Sequence, residues 1–226
     1  MQGQDAAFVK RAFAAIAGRY VLTNHVLSMG IDVLWRKKTG REVARRRPQW
    51  ILDLATGSGD LAAELQARCP EAQVLGADFS PPMLQVAKGR GLPNLIVADG
   101  LALPLTDACV DVVTVAFGLR NMGSWEGAAR EMARVLKPGG ALLVLDFSLP
   151  PIEPLRSLYL FYLRHVMPKV AGLLTGERAA YEYLCGSIEK FPSGEAMCAL
   201  LRSQGFREAR AQRLSFGIAS LYIAER

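Results

Sequence analysis

The sequence predicts an α/β fold: a mostly parallel seven-stranded sheet with helices on both faces and an antiparallel hairpin at its C-terminal end. Three observations predict it. Five short apolar runs alternate with helical patterns between residues 50 and 147, the first run ends in a glycine turn that opens a helix, and two further apolar runs close the chain. At 226 residues and 51% hydrophobic, the chain can bury a sizeable core without needing a second domain.

A helix carrying Arg36, Lys37, Lys38, Arg41, Arg45, Arg46 and Arg47 precedes the first strand. That strand, Trp50 to Ala55, has Ile51, Leu52 and Leu54 as the apolar run of an interior strand. Gly57 and Gly59 then let backbone come close to a ligand, and Leu61 to Ala67 continues as a helix. Gln73 to Asp78 is the second strand. The helix after it starts near Pro81, where proline suits the first turn and Asp78 or Ser80 suits the cap. Leu95 to Ala98, Val110 to Phe117 and Ala141 to Phe147 complete the parallel set, joined by right-handed crossovers. After Pro150 come helical stretches from Glu153 to about Met167, Ala179 to Lys190 and Ser193 to Ser203. Ala209 to Leu214 and Phe216 to Ala224 then form a hairpin on the sheet edge.

The glycine turn is a nucleotide-cofactor address, and charge decides which cofactor it suits. Gly57, Gly59 and Ala62 formally fit the dinucleotide spacing, with Asp78 at the distance of a ribose-binding acid. A dinucleotide, however, places its diphosphate at the helix N-terminus, where Asp60 stands, with Asp53 on the strand just before. Two carboxylates there repel a diphosphate. S-adenosyl-L-methionine (SAM) has no phosphate and carries a sulfonium and an ammonium that carboxylates attract. Asp78 is placed to accept both ribose hydroxyls, and Asp99-Gly100 ends a third strand, placed to meet the adenine amino group. The bland alternatives stay open: Asp60 as an ordinary first-turn acid and Asp78 as a helix cap.

Other chemistries lack their residues. Cys69, Cys109, Cys185 and Cys198 are scattered, with no Cys-x-x-Cys and no nearby His, so neither a metal site nor a redox pair is expected, and a reduced, cytoplasmic setting follows. His25 and His165 stand alone. No Gly-Lys-Ser/Thr ending marks a P-loop and no Gly-x-Ser-x-Gly an esterase; no signal peptide or bilayer-length apolar run is read, so a soluble chain is expected.

Four segments carry a family resemblance. They are Arg19-Tyr-Val-Leu-Thr-Asn-His-Val-Leu-Ser-Met-Gly-Ile-Asp-Val-Leu-Trp35, the turn Phe117-Gly-Leu-Arg-Asn121, Arg134-Val-Leu-Lys-Pro-Gly-Gly-Ala-Leu-Leu-Val-Leu-Asp-Phe-Ser148, and Tyr181 to Pro192. Together they resemble the ubiquinone/menaquinone biosynthesis C-methyltransferases, the UbiE/MenG type within the Rossmann-like class I SAM-dependent methyltransferases. There are departures. Val21 stands where the family pattern has Asp, Thr23 where it has Met, Asp32 where it has His and Asp146 where it has Glu. Ala116 holds a position often taken by Ser, and the loop Thr56-Gly57-Ser58-Gly59 replaces Gly-Gly-Thr-Gly while keeping a hydroxyl.

The resemblance implies one methyltransferase domain over 1–226, with a helical lid at 1–48, a SAM-binding core at 49–148 and substrate-side helices and closing strands at 149–226. It implies SAM held by Asp53, Thr56, Gly57, Ser58, Gly59, Asp78, Phe79, Asp99, Gly100 and Phe117, with no metal. Its substrate would be a prenylated quinol, demethylmenaquinol or a methoxy-polyprenyl-benzoquinol. Methylating a ring carbon needs electron density, which a quinol supplies once a phenolic proton is removed or shared. Arg120 is the first candidate to stabilise the phenolate or position a water, Asn121 to orient either, with Tyr20 and Asp146 as partners. An ion pair that serves only the fold is the competing reading of Arg120.

The formal charge of +6 is concentrated early, and Lys37, Arg41 and Arg45 lie at helical spacing. They form either a solvated face or a peripheral contact with an anionic membrane at the inner face of the cell membrane. Nucleic acid is not expected, since no aromatic residues are interleaved. Leu155, Leu158, Tyr159, Phe161, Tyr162 and Leu163 either roof the pocket or pack on the sheet. A homodimer is left open, as are three rival functions: a NAD-dependent oxidoreductase, a methyltransferase for another small molecule, and a non-catalytic scaffold in quinone biosynthesis.

Overall fold

A computed structural model of the chain describes residues 30–167, 169 and 178–226. Tyr20, Val21, Thr23 and His25 lie outside these described residues. Strand formation follows the apolar runs closely. The strands are β1 (Trp50–Leu54), β2 (Gln73–Asp78), β3 (Leu95–Val97), β4 (Val110–Ala116), β5 (Leu136–Phe147), β6 (Glu208–Leu214) and β7 (Ala219–Glu225). They form one seven-stranded sheet in the order β3-β2-β1-β4-β5-β7-β6. Every pairing is parallel except those of β7 with β5 and β6, so the hairpin closes the sheet as the sequence predicts.

Residues alternate between the two faces because successive side chains of a strand point opposite ways. Ile51, Leu143, Leu145 and Phe147 enter one apolar layer, while Leu52, Leu54, Leu142 and Val144 enter the other. The first layer is covered by α1 (Asp32–Ala44) and α2 (Asp60–Arg68), and the second by α4 (Trp125–Val135) and α7 (Glu195–Ser203). The remaining helices are α3 (Pro81–Gly89), α5 (Glu153–Phe161), which runs into a π-helical turn at Tyr162–Val166, and α6 (Arg178–Lys190). Tyr159 and Leu163 are buried in the first layer, so this aromatic helix packs on the core, while Leu158 and Phe161 stay exposed.

Two boundaries differ from the sequence expectation. β5 starts at Leu136 rather than Ala141, because Leu136 pairs with Val110 across a register shift and the strand continues through Lys137-Pro-Gly-Gly140, with Gly139 at a φ of 79°. Gly140 belongs there, since a Cβ would sit 2.8 Å from Lys137 O and 2.9 Å from Asp111 O. Phe216 lies in a turn rather than in the last strand. Ser215, Phe216 and Gly217 all have positive φ (44°, 59° and 94°), which ends the pleat and leaves Phe216 83% exposed.

This topology fixes where a ligand goes. The strand order reverses between β1 and β4, and in such sheets ligands bind outside the strand C-termini at that point. The loops leaving β1 and β4 press together there, for a Cβ on Gly118 would lie 2.4 Å from the Ala55 Cβ.

Candidate active site

The loop after β1 is shaped by its own residues. Ala55, Gly57 and Gly59 have φ of 54°, 56° and 81°, and the N–H groups of Thr56, Gly57 and Gly59 donate to Ala77 O, the Asp78 carboxylate and Thr56 O. Three N–H groups of the kind that cradle a diphosphate are therefore engaged within the protein. Asp53 is 1% exposed and in register with Thr114. Its Oδ1 accepts from Thr114 Oγ1 and its Oδ2 from Thr56 Oγ1, both at 2.6 Å. Burial pushes its carboxyl up to about 6, opposed by those two hydroxyls and by Arg36 and assisted by the Asp78 charge.

Asp78 is similarly buried, with Oδ2 accepting from Gly57 N at 2.8 Å and Oδ1 from Ser80 N at 2.9 Å. Burial raises its carboxyl, and the N–H groups of Ser80, Gly57 and Phe79 oppose the rise. Asp78 thus ties the loop to the second strand and caps the following turn, while a carboxylate retains lone pairs for further donors. Asp60 is half-buried in the cavity wall. It accepts from Ser58 Oγ at 2.5 Å and pairs with Arg90 at 2.7 Å. Burial works against its charge, yet Ser58, Arg36 and Arg90 hold the carboxyl below its ordinary range. The repulsion that Asp60 offers a phosphate is accordingly reduced by Arg90.

Beyond the two loops, Phe79 and Gly100 are half-buried, and Asp99 is exposed with Oδ1 accepting from Leu101 N at 2.9 Å. The cavity at the reversal point is lined by Arg36, Asp53, Ala55, Thr56, Gly57, Ser58, Asp60, Leu61, Ala116 and Phe117. The structure therefore brings Asp53, Thr56, Gly57, Ser58 and Phe117 to one place and sets Asp78 just behind them. The carboxylates of Asp53 and Asp60, with the Arg36 guanidinium in the same lining, suit a cofactor that carries positive groups and a carboxylate but no phosphate, so the donor set fits SAM.

Arg36 is the residue that sequence reasoning missed. The basic run reads as a solvent face, and Lys37, Arg41 and Arg45 are indeed exposed. Arg36 instead belongs to the buried stripe of Asp32, Trp35, Thr39 and Val43, and it reaches the cavity. The signal was its position one residue after Trp35 and four after Asp32.

Arg120 and Asp146 meet across β4 and β5. Arg120 is 1% exposed, and its Nη1 donates to Asp146 Oδ1 and to Phe117 O, each at 2.7 Å. The guanidinium carbon lies 5.4 Å from the centre of the Phe147 ring. Burial raises the Asp146 carboxyl against the Arg120 charge, and its Oδ2 has no hydrogen-bond partner among the described residues. This pair fixes the 3-10 turn Leu119–Asn121. Asn121 is half-buried, with Nδ2 donating to Phe117 O at 3.4 Å and Oδ1 accepting from Tyr183 at 3.5 Å. Among the described residues, no group of three His, Cys, Asp or Glu side chains could hold a metal ion.

Comparison with solved structures defines the class. A SAM-dependent methyltransferase from Thermotoga maritima superposes with a TM-score of 0.67 at 18% identity, over 96% of this chain and 99% of that one. The human N-acetylserotonin methyltransferase in complex with SAM gives 0.57 at 20% identity, over 83% of this chain and 51% of that one. The fold is thus that of the class I methyltransferases. More particularly, the chain belongs to the ubiE/COQ5 methyltransferase family, whose profile matches residues 1–226. It is 45% identical over 219 residues to a demethylmenaquinone methyltransferase of Thermus thermophilus, covering 95% of this chain and 99% of that protein. The ubiquinone/menaquinone biosynthesis C-methyltransferase UbiE of Syntrophotalea carbinolica is 43% identical over 225 residues, covering 97% and 93%.

Two predictions come from the buried charges. Asp53 keeps its proton to a higher pH in the folded chain than in the unfolded one, so between about 4 and about 6 rising pH removes stability from the cofactor-free protein. Melting curves across that range should show the parent losing ground to Asp53→Asn; parallel curves would refute the assignment. Arg120→Ala leaves Asp146 buried without its cation and should cost about 3 to 5 kcal/mol in denaturant unfolding. A cost below about 1 kcal/mol would mean that the pair does not hold the turn.

Proposed function

We propose that this protein transfers a methyl group to a ring carbon of a prenylated quinol, demethylmenaquinol or a methoxy-polyprenyl-benzoquinol, in menaquinone or ubiquinone biosynthesis. The observation that carries this reading is the near-full-length match to relatives named for quinone methylation. Two of them, from Thermus thermophilus and Deinococcus radiodurans, are named for demethylmenaquinone, which makes the naphthoquinol the first substrate to try.

Residues 49–148 hold the cofactor in this reading, and residues 149–226 contribute to the substrate side, with 1–48 as lid. SAM supplies an activated methyl on a positively charged sulfur. Asp53 and the loop Thr56-Gly57-Ser58-Gly59 receive its cationic end, Asp78 the ribose hydroxyls, and Phe79, Asp99 and Gly100 the adenine side, with Phe117 closing the pocket. Ring carbon attack needs a phenol that gives up or shares its proton, normally held to a pKa near about 10. Asn121 is the half-buried polar side chain that the turn presents, and it orients the phenol oxygen or the water that takes its proton. Arg120 and Asp146 act as positioning residues. Their charges offset one another inside the core, so the pair steadies the turn more than it attracts a phenolate. Tyr20 stays in the proposal as a further polar partner from the lid.

A prenyl quinol resides in the bilayer, and no helix among the described residues is long and apolar enough to cross one. Peripheral docking on an anionic leaflet by α1 is supported by its outer side, where Lys37, Arg41 and Arg45 are exposed together with Val33 and Leu34.

Incubated with SAM and a demethylmenaquinol, the protein should methylate a ring carbon only while a reductant keeps the ring reduced, and the rate should rise with pH until the phenol or its assisting group is deprotonated. Mass spectrometry decides: methyl on oxygen, or equal turnover of the oxidised quinone, would rule out the mechanism. Binding to anionic vesicles should weaken with salt and with joint neutralisation of Lys37, Arg41 and Arg45, each worth about 1 kcal/mol near the surface. Salt-independent binding, or none, would leave that helix face merely solvated.

A further inference from the structure

Arg36 is 7% exposed and lines the same cavity as the glycine loop. Asp32, four residues earlier on the same helix and wholly buried, holds its Nη1 at 2.5 Å. The guanidinium carbon sits 5.6 Å from the centre of the Phe117 ring. The charge is therefore fixed from two sides, and the described hydrogen bonds engage only Nη1 of a fork that has further donors.

A buried ion pair is a costly way to pack a helix, because an apolar side chain on the stripe of Trp35 and Val43 would cover the same surface without desolvating charge. What Arg36 adds is a cation beside Asp53 and Asp60 in one small cavity. One cation facing carboxylates suits a zwitterion, whose carboxylate and ammonium share a carbon. The methionyl end of the cofactor is such a group, and neither the adenosine nor the sulfonium is.

We infer that Arg36 is the receptor for the α-carboxylate of the cofactor's methionyl end, with Asp53 facing its ammonium and Asp32 positioning the guanidinium. The inference rests on reading the loop after β1 as the cofactor site. It gives α1 a task beyond covering the sheet, since the helix that carries the exposed basic face on one side completes the cofactor pocket on the other.

The test is calorimetric and needs no turnover. The full chain is titrated with S-adenosylhomocysteine, with decarboxylated SAM, which keeps the ammonium and lacks the carboxylate, and with 5′-methylthioadenosine, which lacks the amino-acid end. Arg36→Gln should lose about 10- to 100-fold in affinity for S-adenosylhomocysteine, as expected for one charge-assisted contact, and keep its affinity for the other two ligands. Asp32→Asn should show the same pattern with a smaller loss. Equal weakening of all three ligands by Arg36→Gln would make the residue structural and overturn the inference, as would no weakening. Should that variant not fold, the parent decides alone: SAM binding at least about 10-fold tighter than decarboxylated SAM supports a carboxylate receptor, and equal binding overturns it. Failure of the parent to bind S-adenosylhomocysteine would overturn the cofactor reading itself, whereas indifference of Arg36→Gln removes only the role of Arg36.

Discussion

The structure depends on keeping ionisable groups inside the protein at the C-terminal ends of its central strands. Asp53 on β1, Asp78 on β2, Arg120 after β4 and Asp146 on β5 are all nearly inaccessible to water. Each would be prohibitive alone and is tolerated because hydroxyls, backbone N–H groups or an opposite charge stand within hydrogen-bond distance. The aliphatic strands Ile51 to Leu54 and Leu142 to Leu145 supply the surrounding burial that makes these partners indispensable. The loops after β1 and β4 then have little freedom. Thr56 is bound to Asp53, Gly57 to Asp78, and Gly118 leaves no room for a side chain against Ala55.

Arg120 shows how such a pair divides labour. Asp146 is one methylene shorter than the Glu of the family pattern, and it meets the guanidinium through Oδ1 while Oδ2 lacks a hydrogen-bond partner among the described residues. Nη1 of Arg120 donates to the Phe117 carbonyl as well as to Asp146, which ties the guanidinium to both strands. Asn121, one residue on, remains at the half-exposed rim.

Much of this was legible because apolar runs and strand-ending acids leave strong local patterns. Gln73 to Asp78 is a strand with the boundaries read from sequence, and Asp53, Thr56, Gly57 and Ser58 gather where the glycine turn placed them. What escaped was orientation. Arg36 looked like one of seven basic residues, and only the helical phase set by Trp35 and Val43 turns it inward. Phe216 looked like part of a strand, but three successive positive-φ residues break the pleat, and nothing in an apolar side chain announces that. Asp78 serves the loop backbone as well as any ligand, a double role that residue type alone does not disclose.

The placement of β7 between β5 and β6 has a consequence for the newly made chain. Synthesis runs from the N-terminus, so the outer edge of β5 emerges, with its row of unpaired amides and its aliphatic side chains, long before the strand that will cover it. β6 cannot shield that edge, because its own pairing is with β7. Until Ala219 to Glu225 leaves the ribosome, the half-built sheet offers a long open template to any neighbouring strand and is exposed to chaperones and to aggregation.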